Sequence, residues 1–208
     1  REPARMAVSY LHAAGLGEAI PETTPGRYLG EETLGVIQAQ ITKQVNTPLT
    51  SSMGRLFDAA ASLLGLEQKI TFEGQAAMHL ESIAAKEETG FYPVPISGAL
   101  LDGVALMRQL HQDLLAGTDQ AILAARFHNS LAQLSLQVCL ALRLESCVNT
   151  VALSGGVWQN LYLADHTIAL LEEAGFKVLV HRRLPPNDGC VAYGQAVVAL
   201  ANMLGFGG

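Results

Sequence analysis

The chain has only three cysteines in 208 residues, and none of them forms a Cys-x-x-Cys pair. An odd, scattered set of this kind excludes a disulfide-rich secreted domain and favours a reducing compartment. Charged residues make up only 15% of the chain, the formal net charge is −6, and the longest basic cluster is Arg182-Arg183. Because nucleic-acid binding needs a larger basic patch to neutralise phosphates, we expect that the protein does not bind nucleic acid. From the cysteines we expect it to be cytoplasmic.

One long stretch without charge, Gly189–Gly208, has to be weighed as a membrane span. It contains the polar residues Tyr193, Gln195 and Asn202, and Gly205 interrupts it. These residues favour a helix buried in a protein core over a helix in a membrane. We therefore expect no membrane association.

Several well-known catalytic patterns are also missing. The six histidines show neither a His-Glu-x-x-His motif nor a zinc-finger spacing with cysteine. No serine lies in a Gly-x-Ser-x-Gly turn, which argues against a hydrolase of that type. The Gly-x-Gly-x-x-Gly and P-loop patterns are absent too, so the sequence supports neither a Rossmann dinucleotide site nor a Walker-type site.

What is present is enough apolar material for a substantial core, since 50% of the residues are hydrophobic. The first 145 residues have mainly helical spacing, and the clearest apolar stripe consists of Leu123, Phe127, Leu131, Leu134, Val138 and Leu142. We predict helices over 2–14, 31–45, 52–64, 71–84, 97–115 and 119–144, a loop over 21–30, and an edge strand or extended connector over 91–96.

The pattern changes after residue 145. A short β-branched run, Thr150–Leu153, is followed by Ser154-Gly155-Gly156 and then by helical spacing up to Gly175. A second strand (177–181), a loop (185–189) and a last apolar helix complete a βαβα unit. Its strands should be parallel, because a helix connects them. The chain as a whole is predicted to be α/β, without a linker between independent domains.

The Gly-Gly turn is the sharpest local signal. Glycines at the carboxyl end of a strand let backbone amides approach a phosphate, and the N-terminus of the next helix points at the same place. Asn160 is expected one turn into that helix, on the face of Gly156. A tight strand-to-helix turn that binds nothing would have the same sequence, so both interpretations stay open.

Two further groups of polar residues are candidates. Asp188 follows the second strand, and ligands collect at the carboxyl ends of parallel strands, so Asp188 could hold a metal or a ligand hydroxyl near Gly155. A turn that caps the last helix is the simpler explanation. The second group is Arg55 and Asp58 with Glu73 and the following Gly-Gln. A surface pair of Arg55 and Asp58 explains it without a ligand.

Five segments, taken together and in order, resemble the C-terminal part of the HypF carbamoyltransferases of nickel–iron hydrogenase maturation. They are residues 50–59, 72–77, 153–160, 185–189 and 194–195, and the opening Arg1-Glu2-Pro3 is similar as well. Relatives of that family include tRNA threonylcarbamoyl transferases and antibiotic O-carbamoyltransferases. The resemblance covers essentially the whole chain. It implies that residues 1–208 are the helix-rich second lobe of an actin-like ATPase (ribonuclease H-like) domain, with residues 1–145 mainly helical and 146–208 forming the βαβα unit. The upstream lobe and the other domains of the family lie outside this sequence.

The resemblance also implies a reaction and a set of site residues. Carbamoyl phosphate and ATP give carbamoyl-adenylate, and the carbamoyl group passes to the C-terminal cysteine of HypE, where it becomes a cyanide ligand precursor. By motif, the phosphate would lie at Gly155 and Gly156, adenosine at Asn160, and the ribose hydroxyls at Asp58 with Glu73 and Gly74 beside it. Asp188 would be catalytic, as a ligand to a divalent metal such as iron, zinc or magnesium.

The sequence departs from the family pattern in two respects. The metal site of the family also uses two histidines of the upstream lobe, and residue 190 is Cys where relatives usually have glycine. The isolated lobe is therefore expected to be inactive. Three alternatives remain: a relative that carbamoylates another acceptor, a nucleotide-binding scaffold without catalysis, and an actin-like phosphotransferase.

Overall fold

The computed structural model of the chain describes residues 2–98 and 100–205. Arg1, where the resemblance starts, and residues 206–208, the end of the uncharged run, lie outside the described residues. The chain divides into two compact units, Arg1–Leu134 and Ser135–Gly208. The boundary falls inside one long helix.

The first unit is almost entirely helical. Its two short strands, β1 (Ile96–Ser97) and β2 (Leu100–Leu101), form an antiparallel pair. Its helices are α1 (Pro3–Ala13), α2 (Thr24–Lys43), α3 (Met53–Leu63), α4 (Gln75–Ile83), α5 (Gly103–Leu115) and the first part of α6 (Gln120–Ser146).

Helix α3 lies at the centre of the first unit. Every residue from Leu56 to Leu63 is buried, which is the pattern of a helix surrounded by others. Its small side chains allow close packing against α1, and its Phe57 ring meets Phe127 of α6 edge-on, with the ring centroids 5.1 Å apart. Aromatic pairs in this geometry add stability beyond their buried area.

The predicted loop over 21–30 is wrong for most of its length. Helix α2 already begins at Thr24, because Thr23 caps it by accepting a hydrogen bond from the Gly26 N–H at 3.2 Å. Pro25 suits the first turn of a helix, where its missing N–H is not needed. Gly30, with φ of 74° and ψ of 162°, kinks the backbone and divides α2 into two helical segments.

Two other predicted boundaries are corrected. Helix α4 starts after Gly74, not at Thr71, and the Thr71 N–H donates instead to the side-chain oxygen of Gln75 at 2.8 Å. The helix predicted from residue 97 begins only at Gly103, because Asp102 caps it by accepting from Ala105 N at 2.9 Å. In the predicted strand or connector over 91–96, residues 91–95 belong to no regular element and lead into β1, which begins at Ile96.

The second unit contains the predicted βαβα arrangement. Strands β3 (Thr150–Leu153) and β4 (Lys177–Val180) are parallel, and α7 (Leu161–Glu173) connects them. The register pairs Leu153 with Val180 at the carboxyl ends. Leu153, Leu171 and Phe176 form the core beneath this pair, and Leu136, Cys139 and Leu140 of α6 pack against it.

The apolar stripe predicted for α6 is confirmed only in part. Leu123, Phe127, Leu131 and Leu134 are buried, whereas Leu142 is 54% exposed. In the second unit the residues of α6 that contact the core are therefore not the ones that continue the stripe. The spacing of apolar residues identifies one continuous face of a helix. It does not show at which residue a long helix changes the core that it packs against.

The last helix, α8 (Val191–Met203), was expected to be buried and is not. None of its residues is buried, and Tyr193, Val198 and Leu200 are each more than half exposed. No described residues therefore cover the apolar side chains of α8 enough to bury them. Within the described part of the chain, no helix is long and apolar enough to cross a bilayer.

Two glycines of α2 provide a matched test of this packing. A Cβ at Gly26 would overlap the carbonyl oxygen of Ile20, while a Cβ at Gly35 would meet nothing within 4 Å. We expect Gly26→Ala to lower the free energy of unfolding by about 2 kcal/mol or more, as overpacked positions do. Gly35→Ala should raise it by up to about 1 kcal/mol through helix propensity. Urea unfolding followed by circular dichroism measures both, and equal effects would contradict the packing of α2 on the turn before it.

Candidate nucleotide site

The parallel pairing of β3 and β4 brings two loops to one edge of the second unit. Ser154 and His181 are the first residues after the paired strand ends, and the Nε2 atom of His181 lies 3.0 Å from the Ser154 hydroxyl oxygen. Ligands in parallel α/β sheets are bound at this edge. The two sequence motifs that follow these residues are therefore placed together, as expected.

Two further hydrogen bonds join the loops. The Gly155 N–H donates to the carbonyl of Pro186 at 2.7 Å, and the side-chain amide of Asn187 donates to Gln159 at 3.2 Å. While its bond holds, the Gly155 amide is not available to a ligand. Phosphate binding at Gly155 and Gly156 stays a prediction.

The Gly-Gly turn leaves space where a phosphate would have to approach. Gly155 has φ of 109°, a backbone conformation that side-chain-bearing residues rarely adopt. A Cβ at Gly155 would meet nothing within 4 Å, and one at Gly156 would meet only the Cβ of Asn187 at 3.8 Å. The described residues thus leave open space over both glycines.

Asn160 lies at the start of α7 and not one turn inside it, because a 3₁₀ turn (Gly156–Gln159) comes between the glycines and the helix. Its side-chain oxygen caps α7 by accepting from the Leu163 N–H at 2.8 Å. The Asn160 side chain is buried, at 7% exposure. Trp158 of the 3₁₀ turn packs against the core and fixes the turn from below.

Asp188 opens a short 3₁₀ turn (Asp188–Cys190) that leads into α8. The cap of this turn is Asn187, whose side-chain oxygen accepts from the Gly189 N–H at 3.0 Å, so the capping role considered for Asp188 belongs to its neighbour. The Asp188 carboxylate is exposed on the same loop as Asn187, which Gln159 holds. This leaves Asp188 accessible to a ligand or a cation.

A metal site cannot be built from the described residues alone. Among residues 2–98 and 100–205, no three side chains of His, Cys, Asp or Glu are grouped so that they could hold an ion. Asp188 would supply one oxygen ligand, and stable coordination of iron, zinc or magnesium needs several. The other ligands would have to come from outside these residues.

In the first unit, Asp58 is buried rather than part of a surface pair. It is only 2% exposed, and its Oδ2 lies 2.9 Å from the guanidinium of Arg55 without the alignment of a hydrogen bond. Burial raises the pKa of Asp58, and the Glu73 charge adds a smaller effect in the same direction, while Arg55 opposes both. A buried carboxylate oxygen without a hydrogen bond is suited to accept one from a ligand hydroxyl.

Glu73 and Gly74 lie at the turn before α4. Glu73 is exposed, and Gly74 has φ of 83° with nothing within 4 Å of a Cβ placed there. Helix α4, which follows this turn, packs on α3, which carries Asp58. Their contact with a nucleotide stays a prediction.

Sequence reasoning missed three contributors: His181, Gln159 and the Pro186 carbonyl. A usable signal existed for His181, because a parallel pair that ends at Leu153 and Val180 must place Ser154 and His181 side by side. The bond from Asn187 to Gln159 depends on the fold of both loops and has no comparable signal in the sequence.

Comparison with known proteins identifies the family. The family described as "Carbamoyltransferase, Kae1-like Domain, second subdomain" matches residues 1–195. The carbamoyltransferase HypF of Rhodobacter capsulatus is 39% identical over 206 residues, which cover 97% of this chain and 26% of that protein. Carbamoyltransferase HypF2 of Cupriavidus necator is 38% identical over 228 residues, covering 96% of this chain and 28% of that protein.

The chain belongs to the HypF carbamoyltransferase family. Among solved structures, full-length HypF in a phosphate- and nucleotide-bound form has a TM-score of 0.89 at 34% identity, over 96% of this chain and 26% of that one. The helix-rich α/β fold is thereby confirmed, and the matching family is the second subdomain of a Kae1-like domain. The chain spans little more than a quarter of the length of these relatives.

The buried charge of Asp58 gives a test that is independent of any ligand. Because burial raises its folded-state pKa above the unfolded value of 3.8, the stability that it contributes is present below that pH and is lost as the pH rises through the folded pKa. Asp58→Asn should therefore raise the free energy of unfolding at pH 7 by about 0.5–2 kcal/mol, the usual range of a single stabilising substitution. The difference from the parent should vanish near pH 3.

Urea unfolding at the two pH values measures this difference. Asp165→Asn, which changes an exposed carboxylate on α7, is the matched control and should leave stability unchanged at both. A loss of stability in Asp58→Asn at pH 7 would show that the pair with Arg55 outweighs the burial of the charge.

Proposed function

We propose that this chain is the second lobe of a carbamoyltransferase domain that uses ATP and carbamoyl phosphate. The domain would transfer the carbamoyl group of carbamoyl-adenylate to the C-terminal cysteine of a HypE-type acceptor protein, for the cyanide ligand of nickel–iron hydrogenase. The acceptor thiol would attack the carbamoyl carbon and AMP would leave. The observation that supports this most directly is the joined pair of loops after β3 and β4, in a chain of the HypF family.

The Gly-Gly loop would hold the phosphate of the adenylate. Space over Gly155 and Gly156 lets an anion approach the backbone, and the N-terminal end of α7 lies directly downstream. Because the Gly155 amide is bonded to Pro186, we expect the donors to come from Gly156 and the residues around it. Asn160 would contact the adenosine from the start of α7.

The ribose would be bound by Asp58, with Glu73 and Gly74 beside it. This assignment follows the family motif, and the chemistry of Asp58 supports it. Its buried Oδ2 has no hydrogen bond, and a ribose hydroxyl would supply one. A hydrogen bond from the hydroxyl would offset part of the free-energy cost of burying the Asp58 charge. Nucleotide binding at Asp58 should therefore stabilise the folded protein.

Asp188 would act as one ligand of a divalent metal beside the phosphate. Its carboxylate is exposed on a loop that Asn187 fixes to Gln159, so its position relative to the Gly-Gly turn is held by the fold. A bound metal ion would stabilise the negative charge that develops on the leaving phosphate oxygen. The remaining ligands would be histidines of an upstream lobe, as in the family.

The lobe would need that upstream partner to be complete. Helix α8 is apolar with no buried residue, and β3 and β4 form a sheet of only two strands. Exposed apolar surface of this extent is typical of an interface. We therefore expect the 208 residues to work as part of a longer, cytoplasmic protein and to be inactive alone, and the free thiols of Cys139, Cys147 and Cys190 agree with a reducing compartment.

The decisive experiment uses the intact protein that contains this chain. We would measure carbamoyl-phosphate-dependent exchange of pyrophosphate into ATP and, separately, transfer to a HypE-type C-terminal cysteine. Asp188→Ala should reduce transfer by at least about 100-fold, the scale of losing a metal-held charge stabiliser, while exchange continues in the adenylating domain. Asp165→Ala, an exposed aspartate on α7, should change neither rate.

Three outcomes would contradict the proposal in different ways. If the intact protein shows neither exchange nor transfer, the proposed reaction is wrong. If transfer survives Asp188→Ala and space-filling changes in the Gly-Gly loop, the lobe is a scaffold rather than part of the active site. Release of the γ-phosphate of ATP in place of pyrophosphate would identify an actin-like phosphotransferase.

A further inference from the structure

The hydrogen bond between His181 and Ser154 is not used by the site described so far. The two side chains follow the last paired residues of β3 and β4, with His181 Nε2 3.0 Å from Ser154 Oγ, and both are exposed at the edge where the Gly-Gly loop begins. The segments that follow the two strands are thus joined by a side-chain hydrogen bond as well as by the backbone hydrogen bond from Gly155 to Pro186.

The Ser154–His181 hydrogen bond can form in two ways, which differ in which of the two side chains donates the hydrogen. A serine hydroxyl has one hydrogen to donate, while its oxygen accepts. If Ser154 donates to His181, it has no hydrogen left for a ligand. If His181 donates from Nε2 to the Ser154 oxygen, the hydroxyl hydrogen of Ser154 is available to an anion.

The backbone next to Ser154 shows why the second state, in which His181 donates and the Ser154 hydrogen is available, would matter for ligand binding. Gly155, the residue after Ser154, donates its N–H to Pro186 and is not available to the ligand. The loop therefore lacks one of the amide donors that a phosphate-binding turn usually provides. The hydroxyl of Ser154, one residue earlier and exposed, could replace it.

We infer that His181 is a positioning residue that donates to Ser154 Oγ and so holds the Ser154 hydroxyl as a donor to the phosphate of a nucleotide in the Gly-Gly loop. The inference rests on the proposed function, because it needs a nucleotide phosphate at that loop. His181 does not contact the phosphate itself. Its effect on binding must therefore pass through Ser154.

Calorimetric titration of the intact protein with ATP tests this dependence. The binding event of this lobe is the one that Gly156→Ala weakens, because its new methyl group would lie over the loop. The binding event of the adenylating domain is the one that Gly156→Ala leaves unchanged. Ser154→Ala and His181→Ala should each weaken ATP binding about tenfold, the scale of one hydrogen bond to a charged group. The double variant should be no weaker than Ser154→Ala alone, because His181 has nothing to position once the hydroxyl is gone. His181→Gln should restore binding to within about threefold of the parent, since its side-chain amide can donate from the position of Nε2.

The outcomes separate this inference from the proposed function. If the unchanged protein does not bind ATP, both fail. If it binds ATP but the two losses multiply in the double variant, or His181→Gln is as weak as His181→Ala, then His181 does not act through Ser154 and only this inference fails. Thermal unfolding of each variant shows whether the protein is still folded. If His181→Ala unfolds, His181→Gln, Ser154→Ala and the double variant of these two are compared instead. The inference then fails if the losses of His181→Gln and Ser154→Ala multiply in that double variant.

Discussion

The parallel register of β3 and β4 is the constraint on which the proposed site depends. With Leu153 opposite Val180, Ser154 meets His181, Gly155 reaches the carbonyl of Pro186, and the Asn187 loop lies against the 3₁₀ turn. A slip of one residue would turn every side chain of a strand to the other face. It would then break all three connections between the loops and expose the apolar residues that now form the core beneath the strands.

Two residues with proposed roles in nucleotide binding, Asp58 and Gly155, are also locally unfavourable. Asp58 keeps a carboxylate in a buried position where its charge is disfavoured, and Gly155 adopts a backbone conformation that few other residues could take. Neither feature improves the packing around it. Proteins commonly retain such unfavourable choices where a ligand needs them, and the surrounding elements, α3 in one unit and the β3–β4 pair in the other, hold them in place.

Much of the fold follows from local sequence rules, and the failures have physical reasons. The spacing in α6 and the strand–glycine–helix–strand order predicted the right elements, because both depend on neighbours in the sequence. The start of α2 was missed since Thr23, one threonine in a loop-like stretch, provides the cap. Burial of α8 and exposure of Asp58 were predicted wrongly because burial depends on which surfaces meet, and a single element does not encode its partner. Motif similarity predicted candidate site residues, but not that Asn187 and Gln159 connect the loops.

The proposed nucleotide phosphate needs the open space over the Gly-Gly turn, and a single added methyl group can fill it. In Gly156→Ala the new Cβ would lie 3.8 Å from the Cβ of Asn187, an ordinary contact, so the fold should keep its thermal stability. Calorimetric titration of the intact protein with ATP should show one binding event weakened by about tenfold or more, because the methyl group occupies the phosphate position, while binding in the adenylating domain is unchanged. Gly35→Ala, far from any candidate site residue in sequence and exposed on α2, should bind ATP as the parent does. Unchanged affinity in Gly156→Ala would contradict the account.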